Sequence, residues 1–345
     1  MRRGLISWSK DELPEAVLDR RVDSLRAAMA EAGLDAVLAY TTPARAAAVA
    51  WLAGFVPYWN QGLLVVPREG RPVLVSALSN RVNGWMRRNA HVADVLNAPR
   101  IGSEAGRAIA AAVGKGNVGV VDFPHLPAAV IEDVAAEGHQ VSDATALFRA
   151  VRAFADAADI ALHDKAAQIA AGALAAVDDN VRDAARLVAT IDGEARRQGA
   201  EEVYPAVATG LASSQHLVRL EGSRALEDLW AVRVSVSYKG AWVRITRTRS
   251  RDAALRTRIA EAERALAAMI VQLPRTEPLA PCVSWLVEAT RSSLPLEPIA
   301  GSMIAEPEAM PAGGIVSVLA RLDVEGTPVL LGAPMLLTDP PRMLG

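Results

Sequence analysis

The sequence predicts two domains, an α/β domain followed by an α+β domain. Its 345 residues suffice for two hydrophobic cores, and a content of 51% hydrophobic and 22% charged residues is ordinary for a globular protein. Helical and strand patterns alternate through the first part of the chain, which is typical of an α/β domain. Long helices and hairpins then replace that alternation and favour an α+β domain. We therefore predict domains over 1–146 and 147–345.

The first predicted domain begins with a helix over 14–32, where apolar residues recur at helical spacing up to Gly33, which is placed as a C-cap. The segment 62–78 is typical of a hairpin with its turn at Glu69 and Gly70. The helical and strand periodicities of the sequence predict the other elements of this domain. They are helices at 44–55, 80–89, 103–113 and 126–138, and strands at 35–40, 92–97, 117–123 and about 140–144.

The second predicted domain opens with a long helical stretch over 148–181. A further helix over 185–199 ends at Gly199, which again suits a C-cap. Two helices and five strand segments complete the domain. The helices are at 252–273 and about 281–293, and the strand segments are at 203–209, 229–248, 296–303, 314–323 and 328–338.

Composition and charge argue against several classes of protein. The longest apolar runs are far shorter than the roughly 20 residues that cross a bilayer, and the amino-terminal segment lacks the apolar stretch of a secretory signal. The single cysteine, Cys282, excludes an internal disulfide and a cysteine-built zinc site. A formal net charge of −2 gives no reason to expect nucleic acid. We therefore expect a cytoplasmic protein without a nucleic acid or membrane partner.

The segment 229–248 is predicted to form a hairpin with Lys239 and Gly240 as its two-residue turn, because glycine adopts the positive φ that such turns require. This register places Val234 opposite Ile245 on an apolar face that belongs in the core. The other face carries polar and aromatic side chains. They are Arg233, Ser235 and Ser237 on one strand, and Trp242, Arg244 and Thr246 on the other.

Two arginines converge on that second face. Ser235 lies opposite Arg244 in the predicted register, so Arg233 and Arg244 are diagonal neighbours about 7–8 Å apart. Two interpretations stay open. The face is either solvated, with the arginines lying over Trp242, or it is the floor of a cleft that binds an anion, because guanidinium groups bind carboxylate and phosphate in bidentate fashion.

The order of several short motifs resembles the pita-bread family, which includes aminopeptidase P, prolidase, methionine aminopeptidase, creatinase and ectoine hydrolase. The hairpin resembles the family pattern D-x-G-x-x-x-G-Y-x-x-D-x-T-R-T, with Arg233 and Arg244 in place of its two aspartates. Further motifs resemble family segments in the same order. They are "WLAGF" (51–55), "RAVRAFAD" (149–156), "ATGLASSQH" (208–216), "PIAGSMIAEP" (298–307), "GGIVSVLA" (313–320) and "LLGAPMLLT" (330–338). The resemblance implies a creatinase-like amino-terminal domain and a pita-bread carboxy-terminal domain.

The resemblance also implies that a dinuclear metal site has been lost. The family builds that site from two Asp, one His and two Glu. The corresponding residues of this chain are Arg233, Arg244, Pro298, Ala320 and Gly332. Divalent ions need anionic oxygen or neutral nitrogen ligands, and arginine supplies neither. We therefore expect no metal and no other cofactor, and a metallopeptidase of the Xaa-Pro type is the least favoured function.

The same resemblance suggests roles for the remaining candidate residues. His216 falls on the histidine that creatinase uses as general acid/base, a task that suits imidazole near neutral pH; otherwise His216 is structural. Glu306 is a second acid/base, an orienting group for His216 or the salt-bridge partner of an arginine. Trp242 is either a pocket wall or a core residue. Tyr58 and Trp59 belong either to a lid over the other subunit's site in a creatinase-like homodimer, or to an ordinary aromatic loop.

Charge favours an anionic substrate, because two arginines repel a cationic group such as the guanidinium of creatine. One hypothesis is a metal-independent enzyme that hydrolyses a C–N bond of a small carboxylate-bearing substrate. In that enzyme His216 is the acid/base and Glu306 supports it, while Arg233, Arg244 and Ser235 hold the anion. The alternative is a catalytically inactive homologue that serves as a binding or scaffolding subunit, in which the arginines pair with nearby acids.

Overall fold

The computed structural model describes residues 8–43, 45–220, 222–270, 282–289, 302–303 and 312–345. The chain forms two compact units, which meet in sequence between Ala153 and Phe154. Each unit contains its own sheet and its own hydrophobic clusters. Within the described residues, no helix is both long enough and apolar enough to cross a membrane.

The first unit contains a mixed sheet that has six strands within the described residues. The strands are β1 (Ala36–Thr41), β2 (Gly62–Pro67), β3 (Val73–Ser76), β4 (Asp94–Asn97), β5 (Asn117–Val121) and β6 (Gln140–Asp143). The helices are α1 (Glu15–Glu31), α2 (Ala47–Ala53), α3 (Asn83–Asn89), α4 (Ile101–Val113), α5 (Ala128–Ala136) and α6 (Thr145–Val151). The strand order is β4-β3-β2-β1-β5-β6, and β1 is antiparallel to β2 but parallel to β5.

Helices cover both faces of this first sheet. Val37 and Leu38 are neighbours on β1, and their side chains point to opposite faces. They belong to two different hydrophobic clusters, one with residues of α1 and α2 and the other with residues of α4 and α5. Gly33 has a φ of +66° just after α1, the left-handed conformation that ends a helix, so the predicted cap is confirmed. The prediction of an α/β domain is confirmed.

The second unit contains an antiparallel sheet packed against three helices within the described residues. The strands are β7 (Glu202–Ala208), β8 (Leu229–Tyr238), β9 (Ala241–Ser250), β10 (Cys282–Ala289), β11 (Ser302–Met303), β12 (Ile315–Val324), β13 (Thr327–Leu336) and β14 (Arg342–Met343). The helices are α7 (Ala157–Ala175), α8 (Ala184–Arg197) and α9 (Ala253–Ile270). The strand order is β11-β10-β12-β13-β9-β8-β7, with β14 paired to β13. Of the predicted strand over 296–303, only 302–303 lies within the described residues.

Two predicted helical segments differ from the structure. The helix predicted at about 281–293 is wrong, because β10 occupies its described part and pairs with β12. A short apolar run fits either structure, and the neighbouring strand decides the outcome. The long helix predicted over 148–181 is interrupted between α6 and α7. Asp156 starts the second helix, since its carboxylate accepts a hydrogen bond from the backbone N–H of Asp159 at 2.7 Å.

One face of the second sheet is covered by its helices. Val234 and Ile245 of the β8–β9 hairpin pack with residues of α7 and α8. Ala320 of β12 and Ala333 of β13 pack with residues of α9. Side chains alternate between the faces of a strand. The residues next to these along each strand therefore point to the opposite side of the sheet, where the candidate site lies.

Candidate functional site

The turn between β8 and β9 is a two-residue turn with positive φ at both positions, +49° at Lys239 and +81° at Gly240. The buried carboxylate of Glu201 accepts hydrogen bonds from the backbone N–H groups of both residues, at 2.7 and 3.1 Å. The turn is thus fastened to the segment that precedes β7. These contacts fix the register of the hairpin.

The predicted register is confirmed. Ser235 pairs with Arg244, Arg233 pairs with Thr246, and Tyr238 pairs with Ala241. One face of the hairpin therefore carries the expected set of polar and aromatic residues, which we call the polar face. Its members are Arg233, Ser235, Ser237, Trp242, Arg244 and Thr246.

The polar face is buried. The exposed fraction is 1% for Ser235, 3% for Arg244 and 9% for Trp242, whereas Arg233 is half-buried. The interpretation as a solvated sheet face is therefore wrong. Arg244 donates from Nε to Ser235 Oγ at 3.2 Å. Arginine keeps its charge when buried, so a positive group lies here where little water screens its attraction to an anion.

Strand β7 adds two residues to this face that the sequence analysis missed. Glu202 pairs with Ser237 and Tyr204 pairs with Ser235, so both side chains share the face. Tyr204 donates from its hydroxyl to Glu202 Oε2 at 3.1 Å, and its ring stacks on Trp242 at a centroid distance of 5.9 Å. The alternation of β7 could have revealed both residues, but only once its pairing with β8 was known.

Arg219 is a third residue that the sequence analysis missed. Its guanidinium carbon lies 4.5 Å from the ring centroid of Tyr204, within the range of a cation–π contact. The loop that carries Arg219 runs from β7 to β8 and pairs back with β7 where Val218 meets Val207. An irregular loop has no periodicity, so no sequence signal places this residue.

The structure gives less support to the two predicted acid/base residues than to the arginines of the polar face. His216 lies in the loop from β7 to β8 and is exposed, whereas Arg244 is buried. Its Nδ1 is 3.4 Å from Ser214 Oγ, and its backbone N–H donates to the same oxygen. Glu306 lies outside the described residues. The roles of both residues stay predictions.

Tyr58 and Trp59 lie in the first unit, in the loop between α2 and β2. Their exposed fractions are 54% and 67%, which is unusual for large aromatic side chains. Tyr58 packs edge-on against Trp85 at a centroid distance of 5.0 Å. The exposed rings leave a surface for another molecule, and the lid role stays a prediction.

Known proteins resemble this chain in two ways. Residues 21–154 match the family model of the Creatinase/Prolidase N-terminal domain. The chain also resembles solved structures of an Xaa-Pro dipeptidase from Bacillus anthracis, with a TM-score of 0.70 and 17% identity over 95% of this chain and 97% of that one. The prolidase from Pyrococcus furiosus gives a TM-score of 0.65 and 16% identity, over 94% of this chain and 98% of that one. The X-Pro aminopeptidase from Thermotoga maritima gives a TM-score of 0.69 and 13% identity, over 94% of this chain and 96% of that one. No curated protein matches the chain.

The chain therefore has the pita-bread fold, and its residues 21–154 match a Creatinase/Prolidase N-terminal domain. The order of the elements in both units agrees with the fold predicted from the motifs. At these low identities, the structural likeness establishes the fold, and the chemistry has to be argued from the residues present.

The residues that the motif resemblance places at the family's metal positions do not fit a metal ion. Two of them are Arg233 and Arg244, which carry positive charge and offer no ligand atom. At Gly332, a Cβ atom would lie 2.7 Å from the carbonyl oxygen of Val318 and 3.1 Å from Thr246 Oγ1. The backbone therefore leaves no room for a carboxylate side chain at that position.

The register of β12 and β13 corrects one expected correspondence. Gly332 pairs with Leu319, whereas Ala320 pairs with Leu331 and packs in the helix-covered core. Ala320 therefore points away from the polar face, and Leu319 takes the place beside Gly332. Pro298 lies outside the described residues. In the described part of the chain, no three or more His, Cys, Asp or Glu residues are grouped in a way that could hold a metal ion.

Proposed function

We propose that this protein is a hydrolase-type pita-bread enzyme that cleaves a C–N bond of a small carboxylate-bearing substrate without a metal ion. The observation that carries the proposal is the presence of Arg233 and Arg244 on one face of the hairpin, with Arg244 only 3% exposed. The fold supports the reaction class, because the structures named above are a dipeptidase, a prolidase and an aminopeptidase.

The charge of Arg244 favours an anionic substrate on a face that also carries the carboxylate of Glu202. Like charges 4 Å apart repel by about 4 kcal/mol at an effective dielectric constant of 20. A cationic substrate would meet that repulsion at Arg244, whereas a carboxylate would gain charge-assisted hydrogen bonds from the guanidinium group. Ser235 Oγ lies 3.2 Å from Arg244 Nε and helps to orient that group. Trp242 walls the same face beside Tyr204.

The proposed reaction uses a histidine in place of metal-activated water. His216 accepts a proton from water as the water oxygen bonds to the carbonyl carbon. The carbonyl electron pair moves to its oxygen, and an arginine of the polar face stabilises the resulting oxyanion. The C–N bond then breaks, and His216 returns the proton to the leaving nitrogen. Glu306 supports the histidine, and Tyr58 and Trp59 of a second subunit close the site in a homodimer.

A binding subunit without turnover is the second candidate, and the position of His216 favours it. The imidazole is exposed and contacts Ser214, whereas the polar face is buried. A carboxylate could bind at that face even if the imidazole never reaches it. In that case the arginines would serve binding alone, and the protein would act as a sensor or scaffold.

Replacement of His216 distinguishes the two candidates. We expect His216→Asn to abolish release of amine from a panel of N-acetyl and N-carbamoyl amino acids, and to leave their binding unchanged in calorimetry. His125→Asn is the matched control, because His125 is an exposed histidine of the first unit. Binding of the panel without amine release by the unmodified protein would establish the binding subunit. Equal turnover in His216→Asn would remove the histidine from the mechanism.

A further inference from the structure

Side chains from β7 and β9 meet above the strand that separates them, β8, where the residue beneath is a serine. Tyr204 of β7 and Trp242 of β9 lie on opposite sides of β8, yet their rings stack with an angle of 25° between their planes. Arg244 of β9 also reaches β8, because its Nε lies 3.2 Å from Ser235 Oγ. Adjacent strands are about 4.7–4.9 Å apart, a distance that long side chains bridge. Tyr204 is therefore a neighbour of the proposed anion site.

Two contacts hold the ring of Tyr204 in place. One is the stack on Trp242, and the other is the guanidinium group of Arg219, whose carbon lies 4.5 Å from the ring centroid. Tyr204 is half-buried, whereas Glu202 beside it is buried. A small molecule on the polar face can therefore reach the tyrosine more readily than the carboxylate behind it.

The hydroxyl group of Tyr204 directs its proton to Glu202. It donates to Glu202 Oε2 at 3.1 Å, and a carboxylate can only accept. A phenol has a single proton to donate but also has lone pairs that accept. Toward a ligand, the oxygen of Tyr204 therefore acts as a hydrogen-bond acceptor. A ligand N–H group complements it, whereas a ligand oxygen without a proton does not.

A carboxylate-bearing amide brings an N–H group close to its carboxylate. In an N-acyl amino acid both groups are attached to the same carbon atom. Tyr204 pairs with Ser235, and Ser235 pairs with Arg244, so the three residues form one row across β7, β8 and β9. A ligand whose carboxylate lies at Arg244 can therefore turn its N–H group toward Tyr204.

We propose that Tyr204 determines specificity at the polar face by accepting a hydrogen bond from the N–H group of the substrate. The substrate class is thereby narrowed to secondary amides, such as N-acyl and N-carbamoyl amino acids. Esters and N-acyl prolines, which lack this N–H group, are excluded. The inference rests on the proposed function for the place of the carboxylate, but it concerns binding and does not depend on turnover or on His216.

Calorimetric titration with a matched pair of ligands tests this role. N-Acetyl-L-alanine carries the N–H group, and O-acetyl-L-lactate has nearly the same shape with an ester oxygen in its place. We expect the amide to bind about tenfold more tightly, because the ester forms one hydrogen bond fewer. Equal affinities for the two ligands would overturn the role of Tyr204 and leave the proposed anion site intact. Absence of binding of both ligands at millimolar concentration would overturn the anion site and this inference together.

Two substitutions separate the contact of Tyr204 from that of Arg244. Tyr204→Phe keeps the ring and removes the hydroxyl group, so the amide should lose its advantage over the ester. Arg244→Met should weaken both ligands by about tenfold or more and preserve their ratio, since both carry the carboxylate. Tyr40→Phe is the control, because Tyr40 donates to Gln61 in the first unit.

The ratio of the two affinities is measured on one protein, so a partly unfolded fraction does not alter it. If Tyr204 only supports Glu202, Tyr204→Phe would lower the melting temperature and keep the preference for the amide. That result would overturn the inference.

Discussion

Replacement of Arg244 by methionine tests the proposed anion site most directly. Methionine has a similar length but no charge, so the variant loses the guanidinium contact with a bound carboxylate. Such a contact contributes about 1.5–3 kcal/mol, which corresponds to roughly a ten- to hundredfold loss of affinity. We expect that loss in calorimetric titration with an N-acetyl amino acid. Arg233→Met should act in the same direction, and the double variant should be less than additive because both groups hold one anion.

The same substitution should have a smaller effect on stability. The hydrogen bond from Arg244 Nε to Ser235 Oγ contributes about 1 kcal/mol. For a unit of this size, that loss lowers the melting temperature by about 2–4 °C. Arg321→Met is the control, because Arg321 is exposed on β12. A much larger fall in melting temperature together with unchanged affinity would show that Arg244 holds the fold, and the proposed anion site would then be refuted.

Three further predictions concern the metal positions and the assembly. Gly332→Ala should lower the melting temperature by several degrees, because its Cβ would lie 2.7 Å from Val318 O and overpacking costs about 1–3 kcal/mol. Gly222→Ala is the control and should leave the melting temperature unchanged, because no atom lies within 4 Å of its Cβ. Elemental analysis of protein purified without chelator should find no stoichiometric Mn, Co, Zn or Fe, and near one metal per chain would contradict the prediction. Light scattering should show a homodimer, and a clean monomer would contradict it.

The first unit could be predicted well because its signals are local. Apolar spacing and the glycine after α1 predicted that helix to within one residue at each end, since helix caps depend on neighbouring residues. β10 could not be predicted in the same way. Its apolar run suits a helix or a strand, and pairing with β12, more than 25 residues later in the chain, decides the outcome.

The candidate site was predictable along β8 and β9 and unpredictable beyond them. A turn at Lys239 and Gly240 sets every pair of that hairpin, so Arg233 and Arg244 could be placed on one face from sequence. Glu202 and Tyr204 come from a strand whose pairing with β8 spans a loop of twenty residues. No local rule fixes the register across such a loop.

The sequence by itself determined the fold class, the hairpin register and the placement of Arg233 and Arg244 on one face of the hairpin. These features depend on periodicity, turn residues and motif order, all of which are properties of neighbouring residues. Only the tertiary structure decided that the polar face is buried, that His216 is exposed and that Gly332 has no room for a side chain. Burial and close approach depend on which distant strands and helices pack against a residue. That packing is decided by the fold as a whole, because each strand obtains its neighbours from segments far away in the chain.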